Sequence, residues 1–127
     1  MAVITTKLEG NLVTLGGAEN RQAVRTEYNE PRENMNPGEL LCASLGACMM
    51  TMVGFLAVRR NENVTGTRVE VEPAFDEKHS RITAMTITFH FPEHLTQTQK
   101  DFYAKAAQGC PVHNSLREDI TYKVIVK

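Results

Sequence analysis

Residues 36–60 read NPGELLCASLGACMMTMVGFLAVRR. From Leu40 to Val58 this run carries no charge, and it holds Cys42 and Cys48, two of the chain's three cysteines. Its punctuation is helical. Asn36 suits an N-cap, Pro37 the first helical position, and Glu39 completes a capping box with Asn36. Arg59 and Arg60 complement the dipole at the other end. Such a helix has two physical homes. Its length approaches that needed to cross a bilayer, and its small residues (Ala43, Ser44, Gly46, Ala47, Gly54) would suit close packing between membrane helices. The flanking segments argue for the second home, a buried central helix, because they are half-apolar and need something to cover.

Those segments read outward from the helix as follows. Before it, 3–8 and 11–15 flank Glu9-Gly10 as a hairpin, GGAEN at 16–20 is a second turn, and 22–28 is a third short strand. After it, 67–75 and 81–91 form a strand pair about the polar turn DEKHS. Met85, Ile87, Phe89 and Phe91 share one face of the second strand. Thr96 and Gln99 form a capping pattern for a helix through Gln108, a short helix follows Cys110-Pro111, and 120–126 alternates as a last strand. The expected class is α+β, in one domain over residues 1–127.

Composition sets further bounds. The net charge is −1 and no tract is strongly basic, which argues against nucleic acid or an anionic membrane surface as a partner. The N-terminus lacks the basic start and apolar run of a signal peptide. The expected compartment is therefore the cytoplasm, where three cysteines are free thiols rather than a disulfide scaffold.

Cys42 and Cys48 lie about 9 Å apart along a helix, beyond the roughly 7 Å that a disulfide can span. Any intramolecular pair must use Cys110. In GCPVHNSL (109–116), Cys110 precedes Pro111 at a helix start, where backbone N–H groups favour a thiolate. The plain alternative makes Cys110 a small cap residue, His113 a surface histidine, and Cys42 and Cys48 core packing. Cys110 and His113 also have the spacing of half a metal site, but no second paired motif completes it.

NPGELLCASLGAC followed some sixty residues later by CPVHNSL resembles the OsmC/Ohr superfamily, and the order of elements is similar along essentially the whole chain. The resemblance implies an OsmC-like fold: antiparallel sheets around a long central apolar helix, in an intertwined homodimer whose two central helices cross. It implies a thiol-dependent peroxidase that reduces organic hydroperoxides in oxidative-stress defence, with no metal, flavin or other cofactor. By position Cys48 matches the peroxide-attacking cysteine and Cys110 the resolving one. The partners implied are a second copy, an organic hydroperoxide and a small dithiol or dithiol-protein reductant, with no nucleic acid and no membrane.

The sequence departs from the pattern at one place. Active members carry a glutamate ten residues before the reactive cysteine, which organises an arginine over the thiolate; here that position is Gly38. Glu39 is the nearest carboxylate, but its nine-residue offset sets it about 180° around the helix from Cys48, so it reads as a capping residue. Arg21, Arg25 and Arg32 are the candidate arginines, and Arg25 is preferred because a strand aims it rigidly. A missing glutamate also motivates the alternative of a non-catalytic homodimer that keeps an apolar groove for a small hydrophobic ligand.

Overall fold

The computed structural model describes residues 2–127, in two compact units, Met1–Leu41 and Cys42–Lys127. The first unit holds β1 (Thr5–Gly10), β2 (Val13–Gly17) and β3 (Val24–Glu27), an antiparallel meander in chain order. The first hairpin turns at Asn11-Leu12, both with positive φ (54° and 59°), two residues beyond the expected Glu9-Gly10. Two consecutive left-handed residues match the strand twist of a tight hairpin, and asparagine tolerates that conformation well. Thr14 and Thr26 face each other across β2 and β3, their hydroxyls 2.5 Å apart. Thr26 is the sole buried residue among the described residues of this unit. Several of its apolar side chains are bare: Val3, Ile4 and Leu8 are 82%, 68% and 68% exposed.

Helix α1 (Pro37–Arg60) starts and stops as its punctuation dictates. The Glu39 N–H donates to Asn36 Oδ1 at 2.8 Å, and the Asn36 N–H donates to Glu39 Oε1 at 2.9 Å, closing a capping box. At the far end Asn61 adopts φ 53°, its N–H donates to Val58 O, and the Glu62 N–H donates to Ala57 O. This is a Schellman stop with asparagine in the position glycine usually holds.

The second unit is built on a sheet in the order β4 (Arg68–Phe75), β5 (Ile82–His90), β6 (Thr121–Val126). The β4–β5 pair is antiparallel, as the sequence implies. β6 runs parallel to β5, with Met85 opposite Tyr122, so this sheet is mixed rather than wholly antiparallel. The cause is the connection: α2 (Gln97–Ala107) and α3 (Pro111–Ser115) form a helical crossover, which returns the chain in the same direction.

The period-two face of β5 is buried as expected. Met85, Ile87, Phe89 and Phe91 meet Leu45, Met49, Val53 and Ala57 of α1 and Tyr103, Ala104 and Ala107 of α2 in one core cluster. Leu45, Met49, Val53 and Ala57 recur at helical spacing, so α1 commits one stripe to this sheet. Gly46 sits where a Cβ would lie 3.3 Å from Val69 of β4. The remaining faces of α1 are less covered. Only 33% of its most apolar stretch is buried, and Phe55 and Val58 are 57% and 81% exposed. By length and composition alone α1 could cross a membrane; in the fold it is a core helix.

Candidate functional site: a two-cysteine pair

Cys48 lies midway along α1, one residue before the buried Met49. It is half-buried, at the margin of the core cluster. Cys110 comes from the crossover. The Gly109 and Cys110 N–H groups donate back to Ala106 and Ala107, so the end of α2 hands the chain directly to α3. Cys110 is the N-cap of α3, in extended conformation (φ −71°, ψ 154°), with Pro111 following. The Asn114 N–H donates to the Cys110 carbonyl at 3.0 Å, and the Asn114 side chain donates to Gly109 O at 3.0 Å. These bonds fix the backbone that aims the sulfur.

The result is a seat with no exposed surface: Cys110 is 0% accessible, in the same cluster as Tyr103, Ala107 and Ile120. Its thiol has that of Cys48 as a neighbour, and both cysteines are free of disulfides. Burial pushes the Cys110 thiol up, because a buried thiolate loses its hydration. Cys48 acts in the same direction, as a neighbouring acceptor and charge, while the N–H groups of His113 and Val112 pull it down. Those N–H groups face the sulfur without closing a side-chain cap. The net effect is a raised Cys110 thiol. Chemically, two neighbouring thiols can be oxidised to a disulfide where their geometry allows the bond.

Cys42 is buried in the core cluster at 7% exposure. The His113 ring packs on Tyr122 with centroids 4.5 Å apart. No group of three or more His, Cys, Asp or Glu among the described residues could hold a metal ion.

The arginines fall in the first unit. Arg25 is on β3 and reaches across β2 to pair with Glu9. It lines an open cleft of about 480 Å³ with Gln22, Val24, Glu33 and Met35. Arg32 is more enclosed, its side chain 15% exposed, and is gripped by Glu30 at 2.9 Å and by Glu39. Its guanidinium also donates to Asn34 O at 2.9 Å. Glu39 thus does more than cap: the Arg32 hydrogen bond and the Asn36 N–H hold its carboxyl below the usual carboxylate range. Spacing from Cys48 alone does not reveal this second role, which depends on a loop fold. The Arg21 guanidinium donates to the neighbouring Asn20 carbonyl.

The family model for OsmC-like proteins matches residues 30–125, a span that includes both cysteines. No curated protein matches the sequence. Among solved structures, the fold is similar to a proposed osmotic stress induced and detoxification response protein from Psychrobacter arcticus 273-4. The TM-score is 0.89 at 26% identity, over 98% of this chain and 95% of that one. An OsmC-like protein from Mycoplasma pneumoniae matches at TM-score 0.87 and 15% identity, over 100% and 96% of the two chains. The organic hydroperoxide resistance protein OhrB of Bacillus subtilis matches at TM-score 0.72 and 17% identity, over 100% and 98%. With a model match over most of its length and the matching architecture, this chain belongs to the OsmC-like protein family.

Proposed function

We propose that this chain is a thiol-dependent peroxidase that reduces organic hydroperoxides. The observation that carries the reading is the adjoining pair of Cys48 and Cys110, one half-buried and one enclosed. The Cys48 thiolate attacks the distal peroxide oxygen, the O–O bond breaks, an alcohol leaves, and Cys48 becomes a sulfenic acid. The Cys110 thiol condenses with it, forming the disulfide and releasing water. A dithiol then reduces the disulfide by exchange and becomes a disulfide itself. Apolar surroundings favour substrates with an alkyl or aryl tail, each Å² of tail buried contributing about 25 cal/mol. We assign no cofactor to the cycle.

A thiolate in apolar surroundings requires a cation. Arg25 is the proposed one, on a strand; Arg32, anchored by Glu39, is its competitor. Substituting each by methionine separates them, since the arginine that serves the thiolate lowers kcat/KM on removal by about tenfold or more.

The same reading includes a second copy of the chain. The bare apolar residues of β1 and of α1 support it, because a three-stranded sheet with one buried residue does not stabilise itself in water. Such an assembly accounts for the uncharged helix without lipid and suits a reducing compartment such as the cytoplasm.

The direct test is consumption of cumene hydroperoxide by purified protein with dithiothreitol as the reductant. Activity is expected for the wild type and absent for Cys48→Ser. A turnover unchanged by that substitution defeats the reading.

A further inference from the structure

A Cys48–Cys110 disulfide offers a reductant two sulfurs, and the fold treats them unequally. Cys110 is enclosed entirely by its own chain, at 0% exposure, inside the core cluster. Cys48 is half-buried and at the margin of that cluster. A second copy of the chain can add cover to Cys48, but it cannot uncover Cys110. Exchange requires an attacking thiolate to reach the sulfur with which it will bond, and access decides which sulfur that is.

We infer that the reductant attacks Cys48, forming a mixed disulfide there, and that Cys110 leaves as a thiolate into its enclosed seat opposite the Val112 and His113 N–H groups. The inference rests on the peroxidase reading and adds the direction of its reductive half. One reductant thiolate forms a new S–S bond to Cys48 as the Cys48–Cys110 bond breaks, its electron pair going to the Cys110 sulfur. That sulfur takes up the proton that the reductant's second thiol releases to solvent on ionising. The second thiolate of the dithiol then attacks its own partner sulfur, closing the oxidised reductant and expelling Cys48 as a thiolate. Two electrons pass from the dithiol to the protein.

The seat fits the leaving group on both sides of the step. The Val112 and His113 N–H groups favour the thiolate as it forms. Burial then favours its protonation, and a protonated Cys110 does not attack the mixed disulfide to reverse the exchange. The reductant therefore has to present its first thiol at α1, on the Cys48 side, rather than at the α2–α3 corner.

The location of a trapped adduct tests this. Wild-type protein is oxidised with diamide, which closes the disulfide without any peroxidase activity. It is freed of diamide, exposed briefly to excess cysteamine, quenched with acid and N-ethylmaleimide, and digested with trypsin. Residues 33–59 then carry Cys42 and Cys48, and residues 106–117 carry Cys110; fragment spectra separate Cys42 from Cys48. Cysteamine is expected on Cys48 in about tenfold or greater excess over Cys110. Comparable or greater labelling of Cys110 overturns the inference, as does labelling of Cys42 in place of Cys48. If diamide closes the disulfide and an organic hydroperoxide does not, the peroxidase reading fails while the adduct still reports the direction of attack. If diamide closes no disulfide between the two residues, both fail.

Discussion

The Tyr103 hydroxyl donates to Glu62 Oε1 at 2.5 Å, joining a fully buried ring of α2 to the residue that stops α1. Gln99 donates to the other carboxylate oxygen of Glu62, and Arg60 Nε donates to Oε1 at 2.7 Å. Arg60 also stacks over Phe102, 4.3 Å from the ring centroid. Together these groups fasten the end of α1 to the start of α2.

This cluster sets an acid limit on stability. The Tyr103 hydrogen bond, then Arg60 and Gln99, lower Glu62 from 4.5 to about 2. A carboxyl depressed in the folded state contributes stability that is complete above its unfolded value and is lost as pH falls through its folded value. Asp119, lowered to about 2 by Arg117, acts in the same sense. The melting temperature is expected to be level above about pH 5 and to fall progressively toward pH 2. Glu62→Gln should flatten that fall. A variant with the wild-type pH profile would show that Glu62 is not the group responsible.

Gly46 is expected to be intolerant of bulk. A Cβ there lies 3.3 Å from Val69 Cγ1, so Gly46→Val forces the helix off the sheet and should cost about 1–3 kcal/mol in denaturant unfolding. The loss should be smaller in a Val69→Ala background than in the wild type. Equal losses in both would mean the clash is made elsewhere.

Tyr122 carries a buried hydroxyl with no hydrogen-bond partner among the described residues. Burial without a partner is costly, so Tyr122→Phe is expected to be neutral or to stabilise by about 1 kcal/mol. Destabilisation by a similar amount would show that the phenol finds its acceptor on another molecule. Denaturant midpoints at two protein concentrations distinguish the outcomes.

Phe55 and Val58 lie on the bare side of α1. Covering such a side chain contributes roughly 1.5–3 kcal/mol. Phe55→Asp is expected to weaken self-association, read as a smaller mass by light scattering at micromolar concentration. An unchanged mass would remove this face of α1 from the proposed interface.

Much of this architecture is legible in the sequence where the determinants are local. The α1 boundaries follow from Asn36, Pro37, Glu39 and the two arginines, each acting within a turn of its own position. Thr96 and Gln99 start α2 in the same way, their capping box closed by bonds of 3.1 and 2.7 Å. The alternation in β5 names its buried face. The determinants that stay hidden are nonlocal or unusual. Leu12 at φ 59° sits in a turn position its residue type does not advertise. The parallel pairing of β6 depends on how the crossover packs rather than on any residue in the strand. Arg25 and Arg32 choose Glu9 and Glu39 through the fold of the strands and loop around them, which spacing from Cys48 does not encode. The proposal that Cys48 and Cys110 work as a pair comes from family resemblance, since no periodicity links a mid-helix residue to a distant N-cap.

The parallel pairing of β5 with β6 has a consequence for assembly of the molecule. The β4–β5 hairpin closes a short loop, whereas Met85 meets Tyr122 only after the whole crossover has been gathered, at a greater entropic cost. Until that closure the Cys110 corner has no lid, and any of the three sulfurs can cross-link with another. Renaturation from denaturant should therefore return more native protein when a reducing agent is present from the first moment than when it is added at the end.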